Sequence, residues 1–482
     1  MAHSCLTDFL ERLEQAGELA RVGAEVDPVF EVAEVTGRTM RNGGPALVFG
    51  AVRGHEIPVV TNLLGTESRI CLALGVRSLD EVAERIGGLV EPAESPGWLG
   101  RVASAALGPR LDDFAAKTVK TGRCQQIVRL GDDVDLAQLP VLRYASDEPG
   151  PTITGAEVFA IRADTGRLAV GRHDVRVLDR NRLAVCWHGH DEAAGVLEGY
   201  RERNAPMPLA VVLGGDPAGL LAAVAPVGDG ADRGALAGFL RGKAREFVPC
   251  RTVDLRVPTD AEIVIEGQVD PAEPLVGPGP VASSGGFCRP GGLAPRMHVT
   301  AVTHRRNPVY PALVPGRPPD EACVVGRALG RAFVALVRQA IPELVDYHLP
   351  AFGSARHGLF ASIRKRYAGQ GAKVAHALWG MRPWMLSKLL VIVDEDVDVY
   401  DPHQVWAAVA SHVAFDRDVL MSHGPADPLD PAAVSDAPCA KLALDATAKL
   451  PEERSGTAAR PIAIPEETRR LVTARWSEYG LR

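Results

Sequence analysis

The chain has 482 residues, of which 46% are apolar and 23% charged, and its 53 basic and 60 acidic side chains give a net charge of -7. This length suits about two to four domains with a substantial core, and the composition excludes a mostly disordered chain. A nucleic-acid binder usually presents a basic face, so the negative balance argues against that class of protein.

The start of the chain and its apolar runs favour a cytoplasmic protein. The N-terminus lacks the basic and apolar segments of a secretory signal, and no apolar run approaches the ~20 residues that span a bilayer. The eight cysteines are far apart and form no Cys-x-x-Cys pair, so neither a zinc site nor a disulfide framework is signalled. We therefore expect free thiols and no membrane partner.

The N-terminal part of the chain predicts a mixture of helices and strands. Apolar residues recur at helical spacing over residues 6–13, and Gly17 can end that helix. Asp27 and Pro28 predict the N-cap and the first residue of a second helix. The next predicted elements are a strand over residues 57–60 and a helix over residues 79–86.

The middle of the chain predicts a β-rich domain. Short apolar runs alternate with Gly, Pro and Asp, a pattern that favours a barrel or a sandwich. One helical insert is expected after Gly214 and Gly215, with Asp216 as its cap and Pro217 as its first residue. The predicted strands include residues 126–130, 183–187, 209–213 and 262–265.

The last third of the chain predicts α/β structure. Residues 321–339 are expected to form one helix, and residues 388–393 a buried strand. Asp401 and Pro402 predict the start of a further helix. Residues 423–440 and 450–466 are rich in Pro, Ala and Asp and are expected to form loops.

Two local motifs carry candidate chemistry. His188-Gly189-His190 follows a predicted strand, and both imidazoles would share one face if that strand continues. Such a pair can ligate a metal, act in acid–base chemistry or be structural. Arg317 lies on a turn made rigid by two prolines, where it can bind a carboxylate or phosphate, or pair with Glu321, while Asp320 can cap the next helix.

Seven short segments, spread over nearly the whole chain, occur in a recognisable order. Each is weak alone, but as an ordered set they resemble the UbiD-type decarboxylases, the family of polyprenyl-hydroxybenzoate carboxy-lyase and ferulic acid decarboxylase. The segments are TNLLGT at 61–66, LGGDPA at 213–218, AGFLRG at 237–242, AEIVIEG at 261–267, GRPPDE at 316–321, KRYAG at 365–369 and LDATAK at 444–449.

The resemblance implies an α+β protein of three domains. These are an N-terminal α/β domain over residues 1–115, a central split β-barrel of flavin-binding type over 116–318, and a C-terminal α/β domain with an oligomerisation tail over 319–482. It also implies reversible decarboxylation of an aromatic or α,β-unsaturated carboxylic acid, with prenylated FMN, a divalent Mn or Mg ion and a monovalent cation, in a homodimer or homohexamer. The flavin would stabilise the carbanion character that departing CO2 leaves on an sp2 carbon.

The residues that stand at the family's site positions differ from the family pattern. The metal-site His is kept as His190, and Gly171, Trp187 and Arg317 are expected to contact the cofactor. The substituted positions are Ala169 and Arg233 for the metal-ligand Asn and Glu, Asp174 for the active-site Arg, Cys186 for the basic residue at the flavin phosphate, and Val276 and Val281 for the two acids.

These substitutions change the expected chemistry of the site. Ala169 offers no oxygen ligand, and Arg233 places a cation where the metal would bind, a repulsion of several kcal/mol at an effective dielectric constant of about 20. Arg233 can instead meet an anionic phosphate or substrate. Without carboxylates at Val276 and Val281, the usual proton donor is missing.

Three functions follow from this pattern. The first is a UbiD-like carboxy-lyase with a rebuilt, still flavin-dependent site. The second is an enzyme of the same fold that works without prenylated FMN on an organic acid or polyketide-like substrate, by acid–base or electrostatic chemistry. The third is a non-catalytic partner subunit. The catalytic candidates are His173, Asp174, His188, His190 and Arg233.

Overall fold

The computed structural model describes residues 3, 5–89, 109–433, 438–453 and 462–480. Within these ranges, no helix combines the length and the apolar character needed to cross a membrane. All eight cysteines are free thiols, as the sequence predicts.

The N-terminal part of the chain forms a small sheet covered by helices. Strand β1 pairs parallel with β2, β2 antiparallel with β3, and β3 parallel with a strand at Tyr310–Ala312 that arrives from the end of the barrel. The helix predicted over residues 79–86 is confirmed. The elements are α1 Leu6–Gln15, β1 Leu19–Val22, α2 Glu31–Arg41, β2 Ala46–Phe49, β3 Val59–Thr61, α3 Glu67–Leu74 and α4 Leu79–Gly87.

The predicted start of α2 at Pro28 is wrong, since the helix begins at Glu31. The Asp27 carboxylate accepts a hydrogen bond from the Val29 backbone N–H at 2.7 Å, which closes a local turn instead of capping a helix. Residues 28–30 also exchange backbone hydrogen bonds with Arg143. This long-range pairing holds residues 28–30 in a turn with an isolated bridge at Val29, outside the helix.

The central part of the chain closes into an antiparallel barrel. Six strands follow one another in the order β12-β9-β6-β7-β8-β15, and β15 pairs with β12 to close the ring, while β5 adds to the outside of β15. The strands are β4 Lys117–Thr118, β5 Ile127–Leu130, β6 Thr152–Ile161, β7 Leu168–Val177, β8 Arg182–Cys186, β9 Met207–Leu213, β10 Glu246–Pro249, β11 Arg256–Pro258, β12 Ile263–Val269, β13 Val281–Ser283, β14 Phe287–Arg289, β15 Arg296–His304 and β16 Tyr310–Ala312.

Three helices accompany the barrel, at Glu192–Glu202 (α5), Pro217–Ala223 (α6) and Arg233–Arg241 (α7). The start of α6 is as predicted, because the Asp216 carboxylate accepts a hydrogen bond from the Ala218 N–H and Pro217 occupies the first turn. Gly214 precedes it with a φ of 74°, and a Cβ atom there would lie 2.5 Å from Glu262 Cγ. This turn therefore requires glycine.

The C-terminal domain is a five-stranded sheet with helices packed on it. Its strand order is β17-β18-β19-β21-β20, with β18, β19 and β21 parallel and the two edge strands antiparallel. The elements are α8 Glu321–Ala332, α9 Val334–Ala340, β17 Leu344–His348, β18 Gly358–Ile363, α10 Gln370–Gly380, β19 Leu389–Asp394, α11 Pro402–His412, β20 Val419–Gly424, β21 Cys439–Asp445 and α12 Glu466–Ala474.

The sequence predicts one helix over residues 321–339, but the structure has two, α8 and α9, which meet at Phe333. Phe333 is completely buried in the core that these helices share with α4. The break thus lets both helices pack against the N-terminal domain. Of the loops predicted over 423–440 and 450–466, residues 434–437 and 454–461 lie outside the described residues.

Candidate active site

A cavity of about 370 Å³ lies where the barrel meets the C-terminal domain. Strand β7 and helix α6 contribute to one side, and helix α8 with residues 382–387 to the other. Apolar side chains dominate the wall, as is typical of small-molecule sites. The charged residues and the histidine on the wall are Arg172, His173, Asp191, Glu192, Asp229, Arg233, Arg356 and Arg382.

Strand β7 brings Ala169, Gly171 and His173 to one face, because side chains alternate with a period of two. All three line the cavity. A Cβ atom at Gly171 would lie 2.7 Å from His173 Nε2, so the glycine leaves room for the imidazole. Contact between Gly171 and a cofactor stays a prediction, whereas its packing against His173 is a feature of the structure.

Asp191 is the residue around which the predicted histidines gather. Its Oδ2 lies 3.6 Å from His173 Nδ1, and its Oδ1 lies 3.7 Å from His190 Nε2. Its carboxylate also accepts a hydrogen bond from the His188 backbone N–H at 2.7 Å. One carboxylate therefore faces two imidazoles from different parts of the barrel.

Sequence reasoning missed Asp191. It occupies the N-cap position of α5, where an Asp side chain usually accepts hydrogen bonds from the first turn. In this structure the Asp191 side chain makes no cap hydrogen bond. It turns back instead toward residues 188–190, which we call the histidine loop. The available signal was an Asp directly after His188-Gly189-His190.

Burial sets the protonation of both imidazoles near Asp191. Desolvation lowers the pKa of His173 to about 4, and the Asp191 carboxylate offsets that effect only in part. Burial also lowers the pKa of His190, again against the opposing pull of Asp191. His173 is therefore neutral at pH 7 and able to accept a proton, and its imidazolium is a strong acid.

The histidine pair does not extend strand β8, which ends at Cys186. The rings of His188 and His190 stack instead, with centroids 5.6 Å apart and planes 16° from parallel. Trp187 meets His173 edge-on at 6.1 Å and does not line the cavity. The loop is held from the C-terminal domain by Arg382, whose Nη2 donates to the His190 carbonyl at 2.6 Å and whose Nη1 pairs with Asp229.

Arg233 lines the cavity, but its guanidinium has a structural partner. Nη1 donates to the carbonyl oxygens of Ala222 at 2.8 Å and Ala225 at 3.1 Å, at the end of helix α6. Burial lowers its pKa, and Glu192 opposes this effect. The predicted cation is thus present at the wall and anchored to the backbone.

Asp174 and Arg317, like Trp187, His188 and His190, are not among the residues that line the cavity. Asp174 accepts a hydrogen bond from Arg172 Nη1 at 3.3 Å and stands opposite Cys186 on β8. Arg317 is exposed, and the alternative that Glu321 braces it is wrong. Glu321 is buried and accepts a hydrogen bond from the Leu64 N–H at 2.7 Å, while Asp320 caps α8 as predicted.

The loop that lacks the two family acids is tied to the barrel and lies off the cavity wall. Val281 begins β13, and the next residue, Ala282, donates its N–H to the buried Glu148. Val276 forms an isolated bridge with Ala294. Glu273, the nearest carboxylate in sequence, is engaged by Arg296 at 3.1 Å and His298 at 2.8 Å and does not replace either acid.

The wall supplies poor ligands for a divalent metal. The side chain of Ala169 is a methyl group, and the positively charged Arg233 is fixed nearby. In the described ranges, no three His, Cys, Asp or Glu side chains come together in a way that could hold a metal ion. These residues do not fit a metal site of the kind the sequence resemblance implies.

Profiles of three consecutive domains match this chain. The N-terminal, Rift-related and C-terminal domains of 3-octaprenyl-4-hydroxybenzoate carboxy-lyase match residues 10–86, 117–318 and 323–446. This chain belongs to the UbiD family.

Relatives of this UbiD-family chain extend over nearly its full length. An uncharacterized protein of Aquifex aeolicus (strain VF5) is 37% identical over 480 residues, covering 99% of this chain and 98% of the relative. The UbiD-class enzyme HmfF of Pelotomaculum thermopropionicum, solved with FMN and, in an evolved dimeric form, with prFMN, shares 30% identity in its FMN complex, with a TM-score of 0.79 and coverage of 96% and 98%. Vanillic acid decarboxylase of Sedimentibacter hydroxybenzoicus in closed form shares 26% identity, with a TM-score of 0.87 and full coverage of both chains.

Proposed function

We propose that this UbiD-family chain is a carboxy-lyase that removes CO2 from an aromatic or α,β-unsaturated carboxylic acid in the cavity between the barrel and the C-terminal domain. The observation that carries the proposal is the Asp191 carboxylate facing His173 and His190, with Asp191 and His173 both on the wall of that cavity. This cluster takes the place of the proton donor that Val276 and Val281 cannot supply.

Decarboxylation requires a proton for the carbon that loses CO2, and the cluster suits that task. His173 with a pKa of about 4 holds a proton only transiently, and its imidazolium gives that proton readily to a carbanion-like carbon. Asp191 orients the imidazole and attracts the proton toward it. His190, on the other side of the same carboxylate, gives a route for proton exchange with the outside of the cavity.

The apolar cavity wall suits a flavin. Val158, Val170 and Val224 would supply apolar contacts to hold it, and Arg172 would supply a cation for its phosphate. When bound, the flavin supplies an electron sink for the charge that decarboxylation leaves on carbon. The complexes of HmfF with FMN and prFMN support a flavin cofactor. Vanillic acid decarboxylase supports an aromatic acid as the substrate.

A second candidate is an enzyme on this fold that works without prenylated FMN. Ala169 and the anchored Arg233 favour it, because neither position offers a ligand for the divalent metal that the sequence resemblance implies. In that case His173, Asp191 and His190 would perform proton transfer on an organic acid directly.

The test is expression of the full-length chain with a flavin prenyltransferase, followed by the absorbance spectrum and CO2 release from a panel of aromatic and unsaturated acids. We expect a flavin spectrum, CO2 release, and a loss of turnover of about 100-fold or more in Asp191→Asn and His173→Gln. Glu198→Gln, on the exposed face of α5, is the matched control. Turnover without flavin would favour the second candidate, and no turnover on any acid would leave a non-catalytic subunit.

A further inference from the structure

Arg356 is a cavity residue that neither the sequence nor the relatives single out. It lies just before β18, and its side chain is 35% exposed where it lines the cavity. Its backbone carbonyl accepts a hydrogen bond from the Ser387 hydroxyl at 2.8 Å. The main chain of Arg356 is therefore fixed to Ser387, which also lines the cavity.

Asp427 holds the side chain of Arg356 from behind. Its Oδ2 accepts hydrogen bonds from Arg356 Nε at 3.0 Å and from His357 Nε2 at 3.1 Å, and its Oδ1 accepts one from the Leu429 N–H at 2.9 Å. The Asp427 side chain is only 1% exposed. Burial alone would raise its pKa, but Arg356 and His357 outweigh that effect and hold the pKa below its usual range. The carboxylate is thus ionised and fixed in place.

The remaining donors of Arg356 distinguish it from the other arginines of the cavity. Arg172 donates a hydrogen bond to Asp174, and Arg233 donates to two backbone carbonyls at the end of α6. Arg382 uses both of its Nη atoms, one for Asp229 and one for the His190 carbonyl. Among these four side chains, Arg356 alone keeps both Nη atoms without a hydrogen-bond partner in the part of the chain that the structure describes. Two parallel donors are therefore left for a ligand.

We propose that Arg356, positioned by Asp427, binds the carboxylate of the substrate through its two Nη groups. This assignment rests on the proposed function, since it names the residue that recognises the acid. A planar guanidinium with two free parallel donors matches the two oxygens of a carboxylate bidentately.

The cavity places this site beside the proton-transfer cluster. Arg356, His173 and Asp191 all line its wall, so the two sites face the same space. A carboxylate on Arg356 would therefore lie near the residues that supply the proton when CO2 leaves.

The experiment compares an acid with its neutral amide on the full-length protein, as isolated and after reconstitution with FMN. The probes are benzoate and cinnamate against benzamide and cinnamamide, with dissociation constants from ligand-observed NMR. We expect the unaltered protein to prefer each acid by about tenfold or more. Arg356→Gln should abolish this preference with amide binding unchanged, and Arg356→Lys should restore part of it.

Asp427→Asn tests the positioning role, and it should reduce the acid preference without abolishing amide binding. Arg364→Gln is the matched control, because Arg364 pairs with Glu395 at 2.8 Å on the exposed surface of the same domain. It should behave as the unaltered protein. Thermal unfolding of every variant identifies any that fails to fold. If Arg356→Gln does not fold, the acid preference of Arg356→Lys is compared with that of the unaltered protein instead.

Two results would overturn the proposal: equal binding of acids and amides by the unaltered protein, or an intact acid preference in Arg356→Gln. Weaker binding of FMN or inorganic phosphate to Arg356→Gln, with the acid preference intact, would assign the guanidinium to phosphate and also overturn it. An Arg356-dependent acid preference without CO2 release would refute the carboxy-lyase while leaving this site standing. CO2 release with no role for Arg356 would support the carboxy-lyase and overturn the assignment of this carboxylate site.

Discussion

Arg233 donates a hydrogen bond from Nη1 to the backbone carbonyl oxygen of Ala222 at 2.8 Å. The last carbonyls of a helix have no full set of donors within the helix, and Arg233 adds a charged donor to two carbonyls that also accept from backbone N–H groups of the following turn. A residue that the family pattern places at a metal position therefore also closes helix α6 at the cavity wall.

Replacement of Arg233 by Met should destabilise the protein. The variant keeps most of the apolar stem but leaves the carbonyls of Ala222 and Ala225 without this donor, at a cost of about 1–3 kcal/mol. Urea unfolding measures the change. Arg201→Met, which removes an exposed pair with Glu198 on α5, should stay within about 0.5 kcal/mol. Equal effects of the two substitutions would contradict a closing role for Arg233.

Divalent metal should not stabilise the unaltered protein. Ala169 has no ligand atom and Arg233 repels a cation, so Mn²⁺ has no strong site on the cavity wall. A ligand that binds the folded state raises the melting temperature with its concentration. We expect the same melting temperature in excess Mn²⁺ and in EDTA. An increase with Mn²⁺ that is lost in His190→Ala would show a site that uses this histidine.

Protonation of His173 should make stability depend on pH. Its pKa is about 4 in the folded protein, below the value of about 6.5 for an unperturbed histidine, so the unfolded chain binds the proton first as the pH falls. The stability linked to His173 is present above about pH 6.5 and is lost as the pH falls toward 4. Unfolding of His173→Gln at pH 7.5 and pH 4.5 should therefore show a smaller loss than the unaltered protein, and an equal loss would contradict a buried neutral imidazole.

Glu321 should show the opposite dependence on pH. Burial raises its pKa to about 7, well above that of an exposed glutamate, so the folded state holds the proton more tightly than the unfolded state. The associated stability is present at low pH and is lost as the pH rises through 7. Glu321→Gln keeps an acceptor for the Leu64 N–H and removes the titration. Its stability relative to the unaltered protein should rise between pH 6 and pH 8.5 in urea unfolding.

The C-terminal helix α12 should contribute to self-association. No side chain of this helix is buried, and Leu471 and Trp476 are each at least half exposed. An amphipathic segment with this much free apolar surface is stabilised by covering it, and we expect a second copy of the chain to do so. Leu471→Glu with Trp476→Glu should lower the molar mass found by light scattering. An unchanged mass would place the interface elsewhere.

The sequence predicted much of this fold because its signals are local or ordered along the chain. Capping by Asp216 and Asp320 was predictable, since each acts on the helix that follows it directly. The start of α2 was not, because residues 28–30 pair with the distant Arg143. The break at Phe333 depends on burial against α4, which no local pattern at that position reveals.

The candidate site was predictable only in part. Gly171, His173 and Arg233, which the sequence analysis named, lie on the cavity wall, and their roles there stay predictions. Asp191 was missed because its role depends on the path of the histidine loop. The pair of Arg356 and Asp427 is separated by 71 residues in sequence, so only the folded C-terminal domain brings it together.

The contacts of Arg382 join the barrel to the C-terminal domain at the histidine loop. The guanidinium belongs to the C-terminal domain, but both of its partners, the His190 carbonyl and Asp229, belong to the barrel. If the two domains swing apart about a hinge, both contacts must break together and the histidine loop loses its tether. The order of that loop would then follow the angle between the two domains.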